Sequence, residues 1–163
     1  MDQLAIGLAY LGAVLPQIGG LAGSCIGVLR TGRAGTAALA EDPTQFRNVY
    51  MLAALPITQT FYGLIVMLQL IMLLNTVVSK NAAFELWSGL AILGLGLVGL
   101  AAELLSAAFQ GSIAAAGIAE LPRTKGKITF HNLILAVYAE LIGILGMVFC
   151  IVGLTLIRGV MGV

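Results

Sequence analysis

Charged side chains are scarce in this sequence, and their scarcity indicates which solvent surrounds the protein. Only 9% of the 163 residues are charged, whereas ordinary soluble domains carry roughly a quarter. So few charges cannot cover a surface that faces water, and we therefore predict an integral membrane protein. The 8 basic and 7 acidic residues give a net charge of +1, which excludes the clustered basic surface of a nucleic-acid-binding protein.

Residues that commonly carry redox, metal or nucleotide chemistry are also few. The two cysteines, Cys25 and Cys150, lie in apolar runs, so we predict packed, reduced thiols rather than a disulfide framework. The single histidine, His131, lies near the start of the last apolar segment and is predicted to be an interfacial residue. The sequence contains no GxxxxGK followed by Ser or Thr, so we do not expect this chain to bind ATP for catalysis or to be an enzyme on its own.

Hydrophobic residues, by contrast, make up 60% of the chain and collect into four long segments. Each segment exceeds the roughly 20 residues that cross a bilayer, and backbone groups in lipid must be satisfied within a helix. We therefore predict an all-α membrane protein with four transmembrane helices, separated by short connections rich in turn-forming residues. The predicted helices cover about residues 4–29 (or further, through TGRAGTAALA), 49–78, 86–119 and 128–157.

The basic residues are unevenly divided between the two ends of these helices. Six of the eight lie around the first and third connections, whereas Lys80 and Arg158 lie at the opposite end. Because cytoplasmic loops carry an excess of Lys and Arg, the first and third connections are predicted to be cytoplasmic, with both termini outside.

The two halves of the chain resemble each other. Glu41 and Pro43 of AALAEDP recur 79 positions later as Glu120 and Pro122 of AGIAELP. In each half a basic connection follows the proline, and then comes a helix with polar residues partway along it. We therefore predict two tandem, duplicated helical hairpins, residues 1–80 and 81–163.

Small residues recur at helical spacing on the first and third helices. Gly19, Gly23 and Gly27 are four residues apart on the first helix. In lipid, such stripes let helix backbones approach closely. Two interpretations stay open: tight packing inside one subunit, or crowding of these helices at the inner wall of a ring. The stripe on the third helix consists of Gly99, Ala107, Gly111, Ala115 and Ala119.

One carboxylate lies deep in the fourth apolar segment. Glu140 is flanked by LILAVYA and LIGILGM, and a charge near the bilayer centre costs at least about 2.5 kcal/mol. Ionisable residues at such depth mark ion or proton pathways, so Glu140 is predicted to be a functional residue. The alternative is a protonated carboxyl that only helps the helices to pack.

Other polar residues interrupt the second and third apolar segments. Gln110 lies in mid-helix, Thr58 and Gln59 are adjacent, and Tyr62 is one turn beyond Gln59 on the same face. Alone, Gln110 would be a hydrogen-bonding contact between helices, and Thr58 would bond to its own helix. Pro56 disrupts the local helical hydrogen bonding, which loosens nearby carbonyls as ligands.

Together with Glu140, these residues form an inventory of oxygen ligands without histidine or cysteine. The set offers one carboxylate, two amide oxygens, a hydroxyl and a backbone carbonyl. Hard cations prefer oxygen ligands, and a single carboxylate balances a single positive charge. The set therefore predicts Na⁺ as the bound ion.

Three motifs, LPITQTFYG, FQGSIAAAGI and AVYAELIGILG, carry a resemblance to a known family. Over essentially its whole length the chain resembles the proteolipid (K or c) subunit of the membrane rotor ring of V-type sodium-translocating ATPases. The resemblance implies a homo-oligomeric ring in a bacterial plasma membrane, turning in lipid against a stator subunit that carries an essential arginine. Central-stalk subunits would contact the cytoplasmic loops, and ATP hydrolysis in a separate soluble head would drive Na⁺ transport.

The resemblance also implies a role for each residue of the polar set. Tyr62 matches a tyrosine that donates a hydrogen bond to the glutamate and locks it. Proton-pumping relatives usually keep the glutamate but lack the Thr-Gln pair, which favours Na⁺ over H⁺. The implied Na⁺ ligands are the backbone carbonyl of Leu55, the hydroxyl of Thr58, the amides of Gln59 and Gln110, and the carboxylate of Glu140.

Glu103 departs from the family pattern, in which we expect a small residue. It lies seven residues before Gln110, on nearly the same helix face and about 10.5 Å away along the axis. Three alternatives stay open: a second ion-linked carboxylate, a side chain that faces the lumen of the ring and touches water or lipid headgroups, or a neutral carboxyl bonded to a neighbouring helix. We favour the latter two.

Other functions fit parts of the sequence. A proton-translocating rotor proteolipid would use the same glutamate. A small multidrug-type exchanger would also have four helices and one membrane glutamate, but typically in a shorter chain without the hairpin repeat. A passive channel would use the ring as a conduit and would leave the all-oxygen set unexplained.

Overall fold

The computed structural model describes residues 2–80 and 84–162, and these residues are helical almost throughout. They contain four helical spans that are long and apolar enough to cross a membrane, which confirms the predicted all-α fold. The regular helices are α1 (Gln3–Glu41), α2 (Phe46–Ala53), α3 (Thr58–Ser79), α4 (Leu86–Ala119), α5 (Leu121–Thr124) and α6 (Thr129–Met161).

The first helix extends well past its most apolar part. With 39 residues, α1 continues to Glu41, so the more polar segment TGRAGTAALA prolongs the helix. At about 1.5 Å per residue it is roughly 58 Å long, nearly twice the ~30 Å hydrocarbon core of a bilayer. With 34 and 33 residues, α4 and α6 are also longer than the hydrocarbon core is thick.

The second membrane span, Pro43–Ser79, consists of several helical pieces. Short 3-10 turns, Pro43–Gln45 and Leu55–Ile57, precede α2 and α3. Each turn contains a proline, which cannot donate the backbone hydrogen bond of a regular α-helix. The second turn therefore interrupts α-helical hydrogen bonding well inside the span.

The closest helix pair is α1 with α4, and it is joined through backbone contact. A Cβ added at Gly96 of α4 would collide with the backbone of Gly12 in α1, and one added at Gly111 would collide with Gly27. Helix α6 packs on α4, and α3 packs mainly on α1. The small-residue stripes therefore mediate packing inside one subunit, while their position at the inner wall of a ring stays a prediction.

Buried apolar side chains form two clusters, one towards each end of the bundle. Leu70, Ile92 and Leu154 belong to one cluster, whereas Leu52 and Ile118 belong to the other. The polar residues singled out in the sequence lie between these clusters along α3, α4 and α6. Consequently the bundle has a polar band between two apolar layers.

Contacts at the helix ends show which connections are neighbours. Lys125 Nζ lies 3.5 Å from the carboxylate of Asp42, so the first and third connections meet at one end. At the other end, the backbone N–H of Asp2 donates to the carbonyl of Phe84 at 3.4 Å. This pairing of ends is the one that the orientation prediction requires. Residues 81–83 of the second connection lie outside the described residues.

Asp42 organises the first connection. Its carboxylate accepts hydrogen bonds from the backbone N–H of Thr44 at 3.1 Å and from Nε2 of Gln45 at 3.2 Å. The bonds from Thr44 and Gln45, with the positive charge of Lys125, hold the pKa of Asp42 below its ordinary value. The carboxylate therefore stays ionised at the start of the second span.

The closest helix contact in the bundle joins the two predicted hairpins to each other. Helix α1 contacts α4 of the second hairpin more closely than α3 of its own. Each half contributes one member to the close backbone pair and one more peripheral helix. The duplication of residues 1–80 and 81–163 stays a prediction.

Candidate functional site

The turn at Pro56 groups the first oxygens of the candidate site. The hydroxyl of Thr58 lies 3.1 Å from the carbonyl oxygen of Leu55 and 3.2 Å from Oε1 of Gln59. Thr58 thus bonds within its own chain segment, as threonine usually does in a membrane helix. Because the same hydroxyl also reaches Gln59, a carbonyl, a hydroxyl and an amide oxygen are neighbours.

The two glutamines connect this oxygen group to α4 and α6. Gln59 and Gln110 are both fully buried, and Nε2 of Gln59 donates to Oε1 of Gln110 at 2.9 Å. The same nitrogen donates to the hydroxyl of Ser106 at 3.0 Å. Ser106 in turn donates to the carbonyl of Ala139 on α6 at 2.7 Å. The amides are therefore fixed by a network that joins three helices.

Glu140 receives a hydrogen bond at each carboxylate oxygen. The phenol of Tyr62 on α3 donates to Oε1 at 2.8 Å, and Nε2 of Gln110 on α4 donates to Oε2 at 3.3 Å. The contact between Tyr62 and Glu140 is the one that the resemblance implied.

All the residues expected to bind the ion therefore lie in one continuous cluster. Direct hydrogen bonds link Leu55 to Thr58, Thr58 to Gln59, Gln59 to Gln110, and Gln110 to Glu140. Their proximity was expected from their residue types, although they come from three helices. Ion binding at the cluster stays a prediction.

Ser106 is the member of this network that the sequence analysis missed. A serine in an apolar helix commonly bonds to its own backbone, and one such residue gives little reason to expect more. The available signal was its spacing, four residues before Gln110 and three after Glu103, which places all three on one face of α4.

Glu103 does not face a lumen or the headgroups. It is 0% exposed in the single subunit, so the interpretation as a luminal side chain is wrong. Neither carboxylate oxygen has a hydrogen-bond partner among the described residues, so no bond to a neighbouring helix explains it either. His131, predicted to be interfacial, is exposed near the start of α6.

The site is buried on one side and open on the other. Gln59 and Gln110 are fully buried, whereas Leu55, Thr58 and Glu140 are partly exposed. In residues 2–80 and 84–162, no basic side chain forms a salt bridge with Glu140, and no group of three His, Cys, Asp or Glu suited to a metal ion occurs. A single accessible carboxylate among neutral oxygens can exchange a proton or a monovalent cation.

Comparison with known proteins gives consistent results. Residues 4–70 match the family model for the ATP synthase C subunit. The chain is 38% identical over 151 residues to the A-type ATP synthase subunit K of Methanocaldococcus jannaschii, covering 89% of this chain and 63% of that protein. It is 33% identical over 126 residues to the V-type sodium ATPase subunit K of Enterococcus hirae, covering 77% of this chain and 76% of that protein.

Proposed function

This chain belongs to the family of ATP synthase c subunits and K subunits of A-type and V-type ATPases, and from that membership we propose that it is a rotor-ring subunit that carries Na⁺ across a membrane. The chain spans 63% of the length of the archaeal relative, so the function of the whole assembly is part of the proposal. Family membership favours a rotor subunit over a multidrug-type exchanger or a passive channel.

The observation that carries the proposal is the position of the Glu140 carboxylate beside neutral oxygens in the middle of the bundle. Glu140 and Gln110 are bonded at 3.3 Å, and Gln110 and Gln59 at 2.9 Å. Thr58 lies within 3.2 Å of Gln59. A proton needs one acceptor, whereas Na⁺ needs several oxygens, and this grouping supplies several.

The proposed ion shell uses both amides through their oxygens. Oε1 of Gln59 already faces Thr58, whereas Gln110 turns its nitrogen towards Glu140. Half a rotation of the Gln110 amide exchanges its oxygen and nitrogen and turns Oε1 towards the carboxylate. This change gives up the hydrogen bond from Nε2 of Gln59 to Oε1 of Gln110, and Gln59 keeps its hydrogen bond to Ser106. The proposed ligands are then Leu55, Thr58, Gln59, Gln110 and Glu140.

The charge of Glu140 explains how such a site works in a rotor. With Na⁺ bound, the carboxylate is neutralised and the subunit passes through lipid at low electrostatic cost. Opposite a stator arginine, the ionised carboxylate releases Na⁺ to water and pairs with the guanidinium, which avoids an uncompensated buried charge. Tyr62 holds the carboxylate in place while the ion is bound.

The remaining partners follow from this role. We propose that identical subunits form the ring, that a stator subunit supplies the arginine, and that central-stalk subunits bind the end carrying Asp42 and Lys125. The chain itself contributes no catalytic group, because ATP hydrolysis belongs to a separate soluble head. The proposed location is a bacterial plasma membrane, and protons compete with Na⁺ for Glu140.

Binding of radioactive sodium to purified rings tests the proposal. We expect one Na⁺ per chain, lost in Glu140→Gln, with affinity falling at low pH because protons occupy the same carboxylate. Glu41→Gln is the matched control, since it changes a glutamate that lies at the end of α1. Absence of Na⁺ binding at every pH, with intact rings, would instead favour the proton-carrying alternative.

A further inference from the structure

The Glu103 carboxyl lies in a space formed by glycines between α4 and α6. A Cβ at Gly143 of α6 would lie 3.1 Å from Oε2 of Glu103, and one at Gly146 would lie 3.9 Å from Oε1. The absence of side chains at these two positions gives the carboxyl its room. Glu103 is 0% exposed, and both of its oxygens lack hydrogen-bond partners in the described part of the chain.

The groups around Glu103 include no described cation that would balance its charge. Gly143 and Gly146 of α6 border the carboxyl, and the Cys150 thiol lies beside Gly99, one turn before Glu103 on α4. The other titratable groups in this part of the bundle, Tyr62 and Glu140, are hydrogen-bonded to each other. The nearest charged residue of α1 in this half of the bundle is Arg30. Its guanidinium donates instead to the carbonyl of Ala108 at 2.7 Å and to the hydroxyl of Ser112.

Ser106 is the polar neighbour of Glu103 on its own helix. The position of a Cβ at Gly143 would lie 2.8 Å from the Ser106 hydroxyl oxygen, beside the Glu103 carboxyl. That hydroxyl already donates to Ala139 and accepts from Gln59. A hydroxyl oxygen has two acceptor positions, so one is still open on Ser106, but no described hydrogen bond joins it to Glu103.

The groups around the Glu103 carboxyl suit a bound proton better than a bound metal ion. An unpaired, ionised carboxylate in an apolar interior carries a large desolvation penalty, which a bound proton removes. Na⁺ needs several oxygens, whereas Glu103 has its own carboxyl and one free position on Ser106. A proton, by contrast, neutralises the carboxyl without any further ligand.

We propose that Glu103 is a second cation site of the subunit, which binds a proton rather than Na⁺ and through its charge links Na⁺ affinity at Glu140 to pH. The protonated group is neutral, so a subunit with Na⁺ at Glu140 carries no net charge in the membrane. Because Glu103 is fully buried against Gly143 and Gly146 of α6, its proton stays in place while Glu140 exchanges ions.

The effect of Glu103 on Na⁺ affinity follows from its distance to the proposed Na⁺ site and from the sign of its charge. Glu103 lies roughly 10 Å from Gln110 along α4, and an ionised carboxylate at that separation attracts a monovalent cation. At an effective dielectric constant near 20, the attraction corresponds to a gain of roughly tenfold in affinity. Na⁺ affinity should therefore rise at alkaline pH as Glu103 ionises.

Infrared spectroscopy of purified, Na⁺-saturated rings tests the first part. Na⁺ keeps Glu140 ionised, so the C=O stretch of a buried carboxylic acid should come from Glu103. The band should disappear in Glu103→Gln and persist in Glu140→Gln. Absence of the band from wild-type rings at neutral pH, or its persistence in Glu103→Gln, overturns the proposal. If Glu103→Gln does not assemble, alkaline titration of wild-type rings must remove the band; a band that persists up to the pH at which the ring dissociates overturns it.

Sodium affinity as a function of pH tests the second part, which rests on the proposed function. Wild-type rings should show this alkaline rise of about tenfold, and Glu103→Gln rings should reach a plateau without it. Superimposable curves would overturn the link. The two proposals fail in different ways. Absence of Na⁺ binding contradicts the proposed function, whereas persistence of the infrared band in Glu103→Gln rings that still bind Na⁺ at Glu140 contradicts only the second site.

Discussion

At the scale of single residues, Glu140 and Glu103 differ in how accessible their carboxyl groups are to reagents. Glu140 is partly exposed, whereas Glu103 is fully buried. A hydrophobic carbodiimide reacts with protonated carboxyls that it can reach from lipid. We expect it to label Glu140 at low pH, and millimolar-range Na⁺ to protect that residue by displacing its proton. Peptide mapping after labelling checks this, and a label on Glu103, or the absence of protection at any pH, would contradict the site assignment.

The glutamine amides are expected to set ion affinity. Gln59→Leu and Gln110→Leu each remove an oxygen from the proposed shell while keeping a similar volume in a buried position. Na⁺ affinity should fall by at least about 10- to 100-fold, the loss typical when a group that only orients a metal ligand is removed. Equilibrium Na⁺ binding to intact rings measures it, and Gln69→Leu, away from the cluster, is the control. Unchanged affinity in both variants would make these residues packing contacts.

Tyr62 is expected to control how long the ion stays bound. Tyr62→Phe removes a 2.8 Å hydrogen bond to Glu140 without removing an ion ligand. A hydrogen bond to a charged group contributes about 1.5–3 kcal/mol, so affinity should fall by roughly tenfold or somewhat more. The change should appear mainly as faster release, measured together with equilibrium binding. Complete loss of binding would make Tyr62 a direct ligand, and an unchanged release rate would exclude its locking role.

The sequence identified those polar residues that are costly to bury in lipid without a partner. It did not identify those that can form a hydrogen bond within their own helix. Glu140 and Gln110 stand out because polar groups in an apolar helix need partners. Ser106 could satisfy itself on its own helix, so only the structure shows that it reaches Ala139. For Glu103, helical spacing gave its face on α4 but not which helix covers that face.

At the scale of the helices, the contact of α1 with α4 depends on glycines that leave no space for a side chain. Gly96→Ala should weaken ring stability, because its Cβ would collide with the backbone of Gly12 and overpacking typically costs about 1–3 kcal/mol. Thermal dissociation of purified rings measures the effect. Gly94→Ala is the matched control, since a Cβ there meets nothing within 4 Å in the subunit. Equal melting of both variants would contradict the close packing.

Helix positions followed from the sequence, whereas helix partners did not. Long apolar runs in lipid must be helical, and this gave the four spans. Small residues, however, occur on more than one face: Gly63 of α3 meets the backbone of Pro16 in α1, while Gly96 of α4 meets Gly12. Because several glycine faces were available, the stripes alone could not show that α1 pairs most closely with α4.

At the scale of the whole molecule, the two ends of the bundle should lie on opposite sides of the membrane. Contacts between Lys125 and Asp42 define one end, and those between Asp2 and Phe84 define the other. The excess of basic residues predicts that the first of these ends is cytoplasmic.

Cysteine accessibility tests this orientation. In a chain with Cys25→Ser and Cys150→Ser, an impermeant maleimide should label Arg123→Cys in inside-out vesicles and Lys80→Cys in right-side-out vesicles. Both positions are exposed in the subunit, so labelling depends on the side of the membrane. The reverse pattern would invert the topology, and Na⁺ binding serves as the control for intact rings.

The backbone contact between α1 and α4 also has a mechanical consequence. Where Gly12 meets Gly96 and Gly27 meets Gly111, no layer of rotatable side chains separates the two helices. Protein interiors packed at this density have low compressibility, and a glycine-to-glycine contact cannot yield by changing rotamers. The pair should therefore behave as a stiff rod under torque. A force applied at one end is then transmitted along the subunit with little twist. Elastic compliance in the proposed rotary assembly would therefore come from subunits other than this one.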